Sequence, residues 1–215
     1  ILLLAALLPH LTSVVVGIIN GTEAKPHSRP YRVSRQKKGK HICGGFLVSE
    51  EFVMMAAHSS FASEVCLREE FEGNSNDSPT QIIILSQLRG KAKKSKTVKW
   101  ISIPKTKEGI KANSVCSVAG WGRTGSFKSG SNHLMEAKKK CKKLWENLLT
   151  PRMICALHPG GSCRRDSGGP LVCGNTAMGI VSFGQRNKCD APMKPKIFAK
   201  ISAFLPWIKS IIRKV

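Results

Sequence analysis

Residues 166–171 read Asp166-Ser167-Gly168-Gly169-Pro170-Leu171. A serine between an aspartate and two glycines suggests a nucleophile on a tight turn. The small neighbours let a carbonyl approach the hydroxyl, and backbone N–H groups can point at a developing oxyanion. Taken alone, the stretch could be an ordinary turn. Far upstream, Met54-Met55-Ala56-Ala57-His58 puts a histidine at the end of an apolar strand, directly after two small residues. Histidine well before serine is one of the chain orders in which a Ser-His-Asp triad occurs.

Short apolar runs surround these two motifs and recur at 45–48, 52–57, 81–85, 98–103, 114–119, 170–172, 178–183 and 196–200. They are often β-branched and are bounded by Gly, Pro, Asn or Lys. The pattern predicts an all-β barrel or sandwich, not alternating βαβ units. Two stretches read as helices. Residues 134–145 are amphipathic and very basic, and residues 201–215 place Ile201, Phe204, Leu205, Ile208, Ile211 and Ile212 near helical spacing. Pro206 fits the first turn of such a helix. Residues 59–80 collect Glu64, Glu69, Glu70, Glu72 and Asp77 and read as an acidic surface loop.

The chain has 215 residues, 41% hydrophobic and 22% charged, a composition that excludes a disordered chain and a multi-span membrane protein. Thirty-five Lys and Arg against 13 Asp and Glu give a net charge of +22. A domain this basic associates with polyanions. The eight cysteines, spread from Cys43 to Cys189 without CxxC pairs, argue for disulfides over a zinc site. Residues 1–17 carry no acidic or basic side chain apart from His10, and Pro9 interrupts their apolar run. They read as the remnant of a signal or pro segment, leaving 18–215 as the folded domain. The competing reading is a buried strand or helix.

With these residues in view, the sequence resembles the trypsin-like (chymotrypsin-fold) serine proteases, closest to the granzyme and mast-cell-protease branch. Its markers are Ile18-Ile19-Asn20-Gly21, Lys25-Pro26-His27-Ser28-Arg29-Pro30-Tyr31, Cys43-Gly44-Gly45-Phe46-Leu47, Ala56-Ala57-His58, Ala119-Gly120-Trp121-Gly122, the Ser167 motif, Ser182-Phe183-Gly184 and Pro206-Trp207-Ile208. The resemblance implies two six-stranded antiparallel β-barrels and a C-terminal α-helix. It implies serine endopeptidase activity with Ser167 as nucleophile and His58 as base, and no cofactor or metal. The oxyanion hole would be the N–H groups of Arg165 and Ser167. Asp166 would pair with the amino group of Ile18 freed by cleavage after Gly17. Ser182, Phe183 and Gly184 would hold the substrate backbone as an added strand, with Gly161 and Lys196 in the specificity pocket. The implied disulfides are Cys116–Cys173, Cys141–Cys155 and Cys163–Cys189. Cys43 and Cys66 either form a displaced bridge or remain thiols, since Ser59 stands where the partner of Cys43 is expected.

The sequence departs from this pattern in four places. The triad Asp would fall on Ile82, 24 residues after His58, and the family interval is about twice that. The first barrel therefore reads as truncated. Asp77 either substitutes for the missing carboxylate or is a solvated loop residue in the Asn76-Asp77-Ser78 sequon; a second sequon is Asn20-Gly21-Thr22. Arg165 occupies a position that the family gives to Gly. Gly161 removes the pocket Asp that selects basic side chains, and Lys196 either meets an acidic substrate side chain, plugs the pocket or points to the surface. The chain reads as a secreted or granule enzyme acting on proteins and peptides as a monomer, with heparin-like proteoglycan as a further partner and no specific nucleic acid. The alternative is a catalytically dead homologue acting as a cationic glycan- or membrane-binding granule protein. A third reading is a defective splice product.

Overall fold

The computed structural model describes residues 18, 21–56, 69–71, 83–107, 109–110, 114–123, 135–140, 151–156, 162–183 and 196–212. The strands among them are β1 (Thr22–Glu23), β2 (Arg32–Lys37), β3 (Lys40–Leu47), β4 (Phe52–Ala56), β5 (Glu69–Phe71), β6 (Ile83–Gln87), β7 (Val115–Gly120), β8 (Met135–Lys140), β9 (Met153–Ala156), β10 (Pro170–Cys173), β11 (Thr176–Phe183) and β12 (Lys196–Lys200). They form two sheets, in the orders β2-β3-β4-β6-β5 and β1-β8-β7-β10-β11-β12-β9. All neighbouring strands run antiparallel. The count among the described residues is thus five and seven, not six and six. Part of the difference is β1, which precedes the first sheet in the chain but pairs with β8 of the second.

All five residues of β4 are buried, which requires cover on both faces. Phe52, Met54 and Ala56 point one way, together with Ile83 and Leu85 of β6. There they meet Val172, Ala177 and Ile180 of the second sheet. Val53 and Met55 point the other way and pack with Leu47 and Ile84. The core therefore runs through the junction of the two sheets. Each large side chain removed from water there contributes about 1.5–3 kcal/mol. The chain closes with a 3-10 turn, Ile201–Phe204, and helix α1, Leu205–Ile212. Leu205, Ile208 and Ile211 lie on one buried face, and Pro206 falls in the first turn, where its missing N–H costs nothing.

Four sequence expectations are corrected. Residues 135–140, read as part of a basic helix, form β8, paired residue for residue with β7 from Val115↔Lys140 to Gly120↔Met135. Strand pairing overrides the helical propensity of Glu, Ala and Lys. Residues 98–103, read as a strand, connect the sheets instead. The Ile101 N–H donates to Leu47 O of the first sheet, and Ser102 O accepts from the Ala177 N–H of the second. Among the described residues, one isolated bridge, Ser102↔Thr176, is all the pairing they make. Within the expected acidic loop, Glu69–Phe71 pair with β6 as an edge strand. The helix expected over 201–215 begins as α1 only at Leu205.

Candidate active site

The Ser167 turn is held by backbone bonds to both sheets. Ser167 O accepts from the Gly44 N–H of β3 at 2.8 Å, and the Gly168 N–H donates to Val181 O of β11 at 2.8 Å. Gly168 has φ +85°, and a Cβ there would strike Gly44 O, so only glycine fits. The Ser167 side chain is half-buried, and its Oγ makes a long contact, 3.4 Å, to Ser182 O. A Cβ on Gly168 would also meet the Ala56 backbone N at 3.2 Å. Strand β4 therefore reaches the serine turn at Ala56, two residues before His58. His58 itself, like Asp77, Gly161 and Gly184, lies outside the described residues, as do Cys66, Cys141 and Cys189.

Arg165 adopts φ +77°, the left-handed region that the family's glycine would enter freely. Its side chain is exposed. Its carbonyl accepts from His41 Nε2 at 2.9 Å, which fixes that nitrogen as the donor. Nδ1 of His41 then accepts the Ser34 hydroxyl at 2.8 Å. Burial lowers the His41 pKa against the bond to the Arg165 carbonyl, which raises it, and the charges of Arg32 and Arg165 add to the lowering. The sequence reading gave no role to Ser34, His41 or Arg32. Each stands among charged and polar neighbours in β2 or at the start of β3, a setting that ordinarily marks a solvated face.

Asp166 is buried. Its carboxylate accepts from the Gly122 N–H and the Cys163 N–H, both at 2.8 Å. Loss of hydration pushes its pKa up to about 7, against the opposing effects of these two bonds and of the Arg32 and Lys196 charges. Ile18 is also fully buried and packs with Cys116, Val118, Leu171, Val181 and Phe198 inside the second sheet. Lys196 begins β12 and is buried, with Ile197 next to it paired to Phe183 of β11. Cys116 and Cys173 form a disulfide between β7 and β10. Cys163 is disulfide-bonded, and Cys43 is buried in β3.

This assembly has known counterparts. The family profile described as Trypsin matches residues 18–208. Granzyme B of Rattus norvegicus is 37% identical over 232 residues, covering 92% of this chain and 92% of that protein. Cathepsin G of Homo sapiens is 33% identical and covers 99% and 94%. A solved structure of a mutant human heparin binding protein superposes with a TM-score of 0.79 at 27% identity, over 92% of this chain and 98% of the other. With the same order of motifs, two antiparallel sheets and a glycine-locked serine at their junction, the chain belongs to the trypsin family of serine proteases, in its granzyme and mast-cell-protease-like branch.

Proposed function

We propose that the chain hydrolyses peptide bonds through an acyl-enzyme on Ser167, with His58 as general base. The observation that carries this reading is the Ser167 turn itself, fixed from both sheets and set beside the end of β4 that leads into His58. Arg165 and Ser167 supply the oxyanion N–H groups. Residues 182–184 receive the substrate backbone. Asp77 stands in for the triad carboxylate, a role whose loss in a related triad costs about 10⁴ in turnover. Cleavage after Gly17 frees an ammonium at Ile18 to pair with Asp166. Lys196, a buried cation at the head of β12, favours an acidic side chain at the cleavage position. Cys141–Cys155 and Cys163–Cys189 complete the disulfides, and residues 1–17 act as a signal or pro segment. The protein is secreted or stored in secretory granules, as its branch is.

The test uses the chain cut to begin at Ile18, treated with a fluorophosphonate probe, with Ser167→Ala as control. Labelling that depends on Ser167 is expected, together with faster cleavage of peptides with Asp or Glu at the cleavage position than of apolar ones. No labelling in a folded sample overturns the reading. The second reading, a dead homologue acting through its cationic surface on acidic glycans, is favoured by the net charge of +22 and by the likeness to a heparin binding protein. The same null result would select it.

A further inference from the structure

Beneath the serine turn, three glycines from different segments leave a slot between the sheets, and the Arg32 guanidinium fills it. A Cβ on Gly44 would meet Arg32 Nη2 at 2.8 Å, and one on Gly169 would meet Nη1 at 2.7 Å. A Cβ on Gly120 would strike Asp166 Oδ1 and meet Arg32 Nη2 at 3.4 Å. Both groups thus border the place a Gly120 side chain would take, and their charges act on each other. Nη1 donates to Gly45 O at 3.0 Å, and the group lies 5.4 Å from the Trp121 ring centre. Among the described residues, Nε and Nη2 are closed off from solvent and have no hydrogen-bond partner. A buried cation with idle donors is costly unless an anion stands beside it, and a buried carboxylate has the complementary need.

We propose that Arg32 is a positioning residue, a counter-cation built into the chain that serves Asp166 while the Gly17–Ile18 bond is intact and so holds the 163–169 turn in its ordered form. The proposal rests on the protease reading for its consequence: the uncut chain retains some reactivity at Ser167 instead of depending wholly on a freed amino terminus. The charged and titratable groups around the pair come from every neighbouring element. Arg32 of β2 and Lys196 of β12 act on Asp166. Tyr31 and Cys43 act on Arg32, whose own pKa burial lowers to about 10. The Arg32 charge also lowers the pKa of His41 in β3.

The experiment compares the uncut wild-type chain with Arg32→Gln, Arg32→Lys, Asp166→Asn and the Arg32→Gln/Asp166→Asn double variant. Thermal unfolding is followed from pH 4 to pH 9, alongside probe labelling at Ser167. Without Arg32, Asp166 ionises later, so the Arg32→Gln profile should keep falling to higher pH than the wild-type profile. Arg32→Lys should restore the wild-type shape, and in the Asp166→Asn background Arg32→Gln should leave the profile unmoved. Labelling of uncut Arg32→Gln should drop about tenfold, the factor that one pKa unit carries, and recover on cutting before Ile18. If Arg32→Gln does not fold, Arg32→Met fills the slot without polar atoms and takes its place. Identical pH profiles with and without Arg32 overturn the proposal. If even the cut wild-type chain takes no probe, the protease reading fails, and the profiles still decide the role of Arg32.

Discussion

Asp166 is a carboxyl group for which folding favours the proton. Its ordinary value near 3.8 is pushed up to about 7 by burial, so the folded chain takes up a proton that the unfolded chain lacks between those values. The stability this contributes is complete below about pH 4 and is lost as pH rises to about 7. For the uncut chain, the unfolding temperature should therefore fall across that window, and Asp166→Asn should flatten the fall, as read by calorimetry at a series of pH values. Arg165 gives a second prediction at this scale. A side chain held at φ +77° costs about 1–2 kcal/mol, part of which glycine returns through the extra freedom of its unfolded state. Arg165→Gly should raise the melting temperature by about 2–4 °C, measured by thermal unfolding. The turn at Ser167 was legible because paired glycines beside a serine signal a tight turn, and Gly168 there has φ +85°. Arg32 was not, because nothing in Arg32-Val33-Ser34-Arg35 distinguishes an arginine turned into the junction between two sheets from one on a wet face. Only the glycines of three distant segments reveal the slot.

At the scale of elements, the strands most readily recovered are those whose residues are buried on both faces. β4 is apolar throughout and β6 opens with Ile83, Ile84 and Leu85, so both could be read from local sequence. β8 could not, because Met135-Glu136-Ala137-Lys138-Lys139-Lys140 has helical chemistry and becomes a strand only through its pairing with β7. Residues 98–103 show the reverse: an apolar run whose hydrogen bonds are divided between two sheets cannot form a ladder in either. Two elements carry stability predictions. The Cys116–Cys173 bridge closes a separation of 57 residues, for which chain entropy gives about 4 kcal/mol. Replacing both cysteines with alanine should lower the denaturant midpoint accordingly, measured by guanidinium titration. Ile208, fully buried on the inner face of α1, should cost about 2–5 kcal/mol as Ile208→Ala, read in the same titration.

For the molecule as a whole, charge and sheet junction have different consequences. A net +22 on a secreted protein should bind heparin strongly and release it with rising salt, since exposed charges are screened within about 8 Å at physiological ionic strength. Elution from immobilised heparin only well above physiological salt is the expected result, and a chain with Lys138, Lys139 and Lys140 replaced by Gln should elute earlier. The sheet junction bears on how the domain opens and closes. The Gly44 N–H belongs to the first sheet, yet its acceptor is the carbonyl of Ser167 in the second. Its exchange with deuterium therefore requires the contact between β3 and the serine turn to open. One amide of the first sheet thus acts as a clock for the segment that carries Ser167. Its exchange rate before and after the cut at Ile18 would measure how often that segment leaves its working shape, without any substrate present.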